Sequence, residues 1–148
     1  MREIKYRVWD IRLKKMFQVE SIDFSVEPIQ VTYIEKDCWD EDQVSWGEVG
    51  ETCILMQRTC VKDKRDKDIY EGDVMQLEGS KKKAVILFKD GSFGAYLNIS
   101  DVPGGNRTHR GEFFTVVTFH RHKIIGNIYE NPELNEKGDE DGKENSYD

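Results

Sequence analysis

The chain has 148 residues, 37% hydrophobic and 34% charged, enough for one ordinary domain or two very small ones with a modest core. Its formal net charge is −7, yet residues 130–148 set eight acids against two bases and carry −6 of it, leaving a nearly neutral body. That balance argues against tight non-specific nucleic-acid binding, which needs a net positive footprint, and no apolar run approaches the ~20 residues that span a bilayer.

The opening Met1-Arg2-Glu3-Ile4-Lys5 has no hydrophobic leader core behind it, so a cytoplasmic location without membrane association is expected. Residues 2–9 alternate with period two, placing Ile4, Tyr6 and Val8 on one side and Lys5, Arg7 and Trp9 on the other. A polar turn at 10–15 and a second extended run from Met16 close a hairpin. Ile22, Phe24 and Val26 alternate up to Pro28, and residues 29–34 form another β-rich run.

Residues 35–51 are acidic, with Trp39 and Trp46 among them, and read as an exposed loop or edge segment. The two rings either offer a protein-binding patch or cover a small core. The plausible helices are limited to short turns, for instance near 40–44. Residues 52–57 form a short apolar strand, and 58–68 a charged linker or hairpin loop.

Short strands then follow at 69–70, 74–77, 84–88 and 93–97, with Asp90-Gly91 a strong hairpin signal. Pro103-Gly104-Gly105-Asn106 marks a loop. Residues 113–122 read as one long strand and 124–128 as the last. Four or five short strands in some 60 residues is the size of a small barrel. Beyond Leu134 no apolar residue appears until Tyr147, so a disordered acidic tail is expected over 135–148.

Few residues carry a chemical signature. Cys38, Cys53 and Cys60 are odd in number without Cys-x-x-Cys spacing, and read as small, partly buried apolar residues rather than zinc ligands or a disulfide. On a strand, His120 and His122 would share a face and could share a metal, or simply form a basic strand end with Arg121 and Lys123. Glu71 and Asp73 are close, but a glycine turn separates them and nothing in the sequence builds a cleft around them. The basic cluster Arg107, Arg110, His120, Arg121, His122 and Lys123, with Phe114 and Phe119 nearby, is a candidate nucleic-acid surface. No triad, phosphate loop or complete calcium loop is present, so no cofactor and no catalytic residue is assigned.

Several stretches together resemble the YopX family of phage and prophage proteins. They are residues 1–10 with Lys15-Met16, Leu55-Met56-Gln57-Arg58-Thr59, Ile69-Tyr70-Glu71-Gly72-Asp73, Asp90-Gly91-Ser92-Phe93-Gly94, and Ile125-Gly126-Asn127-Ile128-Tyr129-Glu130-Asn131-Pro132-Glu133-Leu134. The resemblance implies a phage- or prophage-encoded intracellular protein with a C-terminal SH3-like barrel and no inherited catalytic residues. The family usually has glycine where Cys60 stands and Asn-Gly where Arg65-Asp66 stands, which puts the turn geometry there in question.

The expected protein is therefore mostly β. It has an N-terminal β unit (1–57), a linker or hairpin loop (58–68), an SH3-like barrel (69–134) and a disordered acidic tail (135–148). The leading functional expectation is a non-enzymatic binding or assembly module acting through protein contacts, as a homo-oligomer or with a phage or host protein, using Trp39 and Trp46. A nucleic-acid accessory factor is the alternative, and a metalloprotein built on His120 and His122 the least favoured reading.

Overall fold

The computed structural model describes residues 1–36, 42–97 and 113–135, with the side chains at 36, 42, 113, 114 and 135 left undescribed. Cys38, Trp39, the 103–106 loop and the tail beyond Asn135 lie outside the described residues. The described chain is mostly β, in two antiparallel sheets. The first sheet has the order β4-β3-β2-β1-β5-β6, from β1 (Tyr6–Asp10), β2 (Lys15–Asp23), β3 (Gln30–Lys36), β4 (Asp42–Glu48), β5 (Cys53–Lys62) and β6 (Asp68–Tyr70). The second has the order β10-β9-β8-β7-β11, from β7 (Asp73–Gln76), β8 (Lys83–Lys89), β9 (Ser92–Tyr96), β10 (Phe113–Thr115) and β11 (Lys123–Asn127).

The first sheet curls on itself. Val8, Val31, Tyr33 and Cys53 fill its inner face, and a parallel bridge between Val49 and Cys53 brings the end of β4 to the start of β5. Gly47 permits this closure, because a Cβ there would lie 2.9 Å from the Cys53 sulfur. The β1–β2 turn is tied by Asp10, whose fully buried carboxylate accepts from the Arg12 and Leu13 amides at 2.8 and 3.0 Å and from the Tyr33 hydroxyl.

Of the two readings of the acidic segment, loop or edge, residues 42–48 take the second, as a regular edge strand, and the helical turn expected near 40–44 is not seen over 42–44. Tyr33 pairs with Ser45 and Val31 with Gly47, so Ser45 and Gly47 face the core while Val44 and Trp46 face outward.

The second sheet is covered on both faces. Ile69, Met75, Ala84, Ile86, Ala95, Phe119 and Ile124 form one core, and Val74, Val85 and Ile128 another on the opposite side. That is why β8 reads as an unbroken apolar run. Asp90-Gly91 makes the expected two-residue turn, with φ of +52° and +82° at its centre, between Lys89 and Ser92.

Residues 113–122 do not form one strand. After β10 the chain winds into a 3-10 helix, Val116–Arg121. Val116, Phe119 and His122 turn inward while Val117 and His120 are exposed, a period of three that matches this helix. Phe119 is fully buried in the core with Ile69, which a straight strand would not allow; packing overrides the β preference of Val116, Val117 and Thr118.

Residues 58–68 form a hairpin, since β5 continues to Lys62 and β6 resumes at Asp68. β5 thus runs from the first core, through Leu55, to the second, through Val61. Cys60 and Asp66, which stand where the family has residues tolerant of positive φ, adopt φ of +67° and +65° regardless. Asp66 accommodates this because its short side chain suits that region. Cys60 sits where the β5–β6 register shifts, and its side chain is exposed rather than buried.

Candidate functional site

The two sheets meet through the outer face of β1. Val8 and Asp10 point into the first core, so Arg7 and Trp9 point the other way, toward the second sheet. Trp9 stacks on Tyr129 with ring centres 5.9 Å apart. The Arg7 guanidinium lies over the Tyr70 ring at 4.8 Å and donates to Asp73 at 2.7 Å and to the Glu71 carbonyl at 3.0 Å. This ion pair is buried, with side-chain exposures of 10% and 2%. Asp73 also accepts from the Tyr70 amide at 2.8 Å, and Gly72, at φ +80°, makes the turn that lets it do so.

A second buried carboxylate shapes the wall beside this pair. Asp63, at the tip of the β5–β6 hairpin, accepts from the amides of Arg65 (2.8 Å), Lys67 (2.9 Å) and, 61 residues away, Ile124 (2.9 Å). Arg65 donates to the Ile124 carbonyl. The hairpin is thereby clamped to β11. Beyond β11, the 3-10 turn Pro132–Asn135 folds back tightly, for a Cβ on Gly126 would lie 2.5 Å from the Asn131 oxygen. The glycine in the closing motif is therefore required by close approach.

Between β1, the hairpin and β11 lies a polar cleft of about 520 Å³. Arg7, Arg65, Lys67 and Lys123 contribute four cations to its lining, Asp73 and Glu130 two carboxylates, and Asn127 and Asn131 two amides. No serine, cysteine or histidine lines it among the described residues.

The carboxylates of this region titrate in opposite directions. Burial works to raise Asp63, but the three amides and Arg65 outweigh it and hold the group below its ordinary value. Burial dominates at Asp73 and lifts it, with Arg7 and the Tyr70 amide only partly offsetting the effect. Burial likewise raises Glu71, whose side chain accepts from the Gln57 amide at 3.2 Å.

The residues singled out from the sequence are placed as follows. Trp39, Arg107 and Arg110 lie outside the described residues, as does the Phe114 side chain, although its backbone is in β10. Trp46 is half exposed on the outer face of β4. His120 and Arg121 are exposed at the end of the 3-10 helix, and Lys123 opens β11.

His120 and His122 do not share a strand face. His122 turns inward, and its Nδ1 accepts from the Glu78 amide at 2.9 Å. Burial lowers its pKa, in keeping with an unprotonated acceptor nitrogen. Among the described residues no group of three or more His, Cys, Asp or Glu side chains could hold a metal ion. Phe119 is in the core and cannot stack on a base. Of the predicted residues that are described, only Lys123 lines the cleft. The signal missed was Arg7, an arginine that shares its strand face with Trp9, an aromatic residue out of place on a wholly solvated face.

No curated protein matches this sequence. The structure is similar to the crystal structure of protein EF1440 from Enterococcus faecalis, with 26% identity, TM-score 0.59, and coverage of 92% of this chain and all of that one. It is also similar to protein yopX from Bacillus subtilis, with 21% identity, TM-score 0.46, and coverage of 90% and 97%. The family model described as YopX protein matches residues 5–136, nearly the whole chain. On that match, the chain belongs to the YopX family.

Proposed function

We propose that the protein is a non-enzymatic binding or assembly module, phage- or prophage-encoded and cytoplasmic, that acts through protein contacts and associates with itself. The observation that carries this reading is the outer face of β4, where Val44 and Trp46, 71% and 54% exposed, stand side by side on the edge strand of the first sheet. Exposed aromatic and β-branched residues on an edge strand supply contact area at low entropic cost.

The backbone of that edge is partly occupied. The Val49 amide donates to Ile29, so the alternate Thr32–Trp46 pair turns its polar groups away from β3, and Arg12 donates to the Trp46 carbonyl at 3.0 Å. Contact through the side-chain face, rather than strand addition along the whole edge, therefore suits it best. The second sheet is consistent with the SH3-like barrel implied by the resemblance, having five antiparallel strands with a 3-10 helix before the last.

The test is sedimentation velocity at about 50 μM, a concentration that populates any micromolar association. The wild type should sediment as a dimer or larger, and V44K/W46K as a folded monomer. A wild-type monomer there refutes the self-assembly reading. The nucleic-acid alternative keeps His120, Arg121 and Lys123 exposed but loses Phe119 to the core.

A further inference from the structure

We propose that the cleft between the sheets binds a phosphate-bearing small molecule of about mononucleotide size. The site is independent of the β4 face, being built from β1, the β5–β6 hairpin and β11. Its volume, about 520 Å³, falls within the range of small-ligand pockets.

The charges favour an anion. Arg7 is committed to Asp73, and Arg65 is oriented by the Ile124 carbonyl and lies 3.9 Å from Asp63. Asp63 stands behind the lining, fully buried, with its oxygens taken by backbone amides. The Lys67 and Lys123 ammonium groups have no hydrogen bond or ion pair among the described residues, and both border the cleft. Four cations against the two lining carboxylates and the ionised Asp63 beside Arg65 leave an excess of one, which favours an anion, and the two lysine ammonium groups suit the several oxygens of a phosphate monoester.

One buried donor of the lining also lacks a partner, and a second donor stands beside it. Asn127, 7% exposed, uses its side-chain oxygen to accept from the Tyr129 and Glu130 amides at 3.1 and 2.8 Å. Its amide nitrogen donates to no described residue and, unlike the Arg7 Nε, is not shut off from solvent. The Arg7 Nε is buried without a hydrogen-bond partner. Buried donors are costly to leave unsatisfied, and a phosphate carries several strong acceptors. Glu130 on the lining and the overall charge of −7 work against an extended polyanion, so a small ligand is favoured over nucleic acid.

Calorimetric titration of the full chain with adenosine monophosphate, with inorganic phosphate as competitor at constant ionic strength, tests the proposal. The nucleotide should bind, phosphate should displace it, and K67Q/K123Q should weaken binding by about tenfold or more. Both lysines are exposed, so this variant retains the fold; K81Q/K82Q, on an exposed loop away from the cleft, should bind as the wild type does. Amide NMR shifts should centre on Lys67 and Asn127. The proposal is overturned by no binding up to about 10 mM ligand, a range that would capture even weak sites. An equal loss in both double variants overturns it too, as does binding confined to single-stranded DNA that phosphate does not displace.

Discussion

The two sheets solve the same burial problem in different ways. The first curls until its inner face closes over Val8, Val31, Tyr33 and Cys53, leaving much of its outer face to solvent. The second is covered on both faces, by the 3-10 helix and β6 on one side and by the closing turn and Tyr129 on the other. Their buried carboxylates differ in the same sense. Asp10 in the first sheet is tied mainly within its own unit, by a phenol, two amides and Arg12. Asp73 in the second depends on Arg7, supplied by the first. Asp10 finds its counter-ion within its own sheet, whereas Asp73 and Arg7 neutralise each other across the junction, so the junction is where the molecule is most sensitive to change.

Removing the Arg7 charge should have the largest effect. Arg7→Ala strands a buried carboxylate and should cost about 3–5 kcal/mol in a urea unfolding titration. Arg12→Ala, which removes a half-exposed partner of Asp10, should cost about 1 kcal/mol or less. Comparable losses in the two variants would break the comparison.

Acid titration sharpens it. Asp63 is held below its ordinary 3.8, so its stabilisation is complete above that pH and is lost as pH falls through the still lower folded value. Asp73 is raised above 3.8, so its contribution has the opposite sign: present below 3.8 and lost as pH rises through the folded value. Stability measured between about pH 6 and pH 2 should therefore fall less steeply on acidification in Asp63→Asn than in the wild type, and more steeply in Asp73→Asn. Parallel slopes in the two variants would show that the carboxylates do not titrate as their surroundings dictate.

The smallest effect should be a gain. Cys60 holds φ +67° on the hairpin that joins the sheets, where glycine carries no Cβ penalty. Cys60→Gly should stabilise the protein by about 1 kcal/mol, read as a higher urea midpoint at unchanged slope. A loss would mean that the contact of its sulfur with the Glu3 carbonyl, at 3.5 Å, outweighs the backbone strain.

Where a structural feature depends on neighbours in sequence, it was legible. The Asp90-Gly91 turn follows from two residues that tolerate positive φ, and the alternation of residues 2–9 correctly separates Val8 from Arg7. The strand expected at 113–122 failed because β-branched residues suit both readings until Phe119 has a core to enter, and its three-residue spacing from Val116 and His122 was the available sign. The candidate surfaces fared unevenly: Trp46 is exposed on a strand, His122 is engaged by Glu78, and the cleft was not foreseen.

The sequence by itself determined the β-rich character, the hairpins and the concentration of acidity after residue 129, because each follows from short-range periodicity, turn chemistry or composition. Only the tertiary structure decided what the second face of β1 does. Arg7 and Asp73 are 66 residues apart, and Asp63 and Ile124 are 61 apart. No local propensity links such pairs; they meet because two sheets dock, bury their charges together and leave a cation-lined cleft where the docking is incomplete.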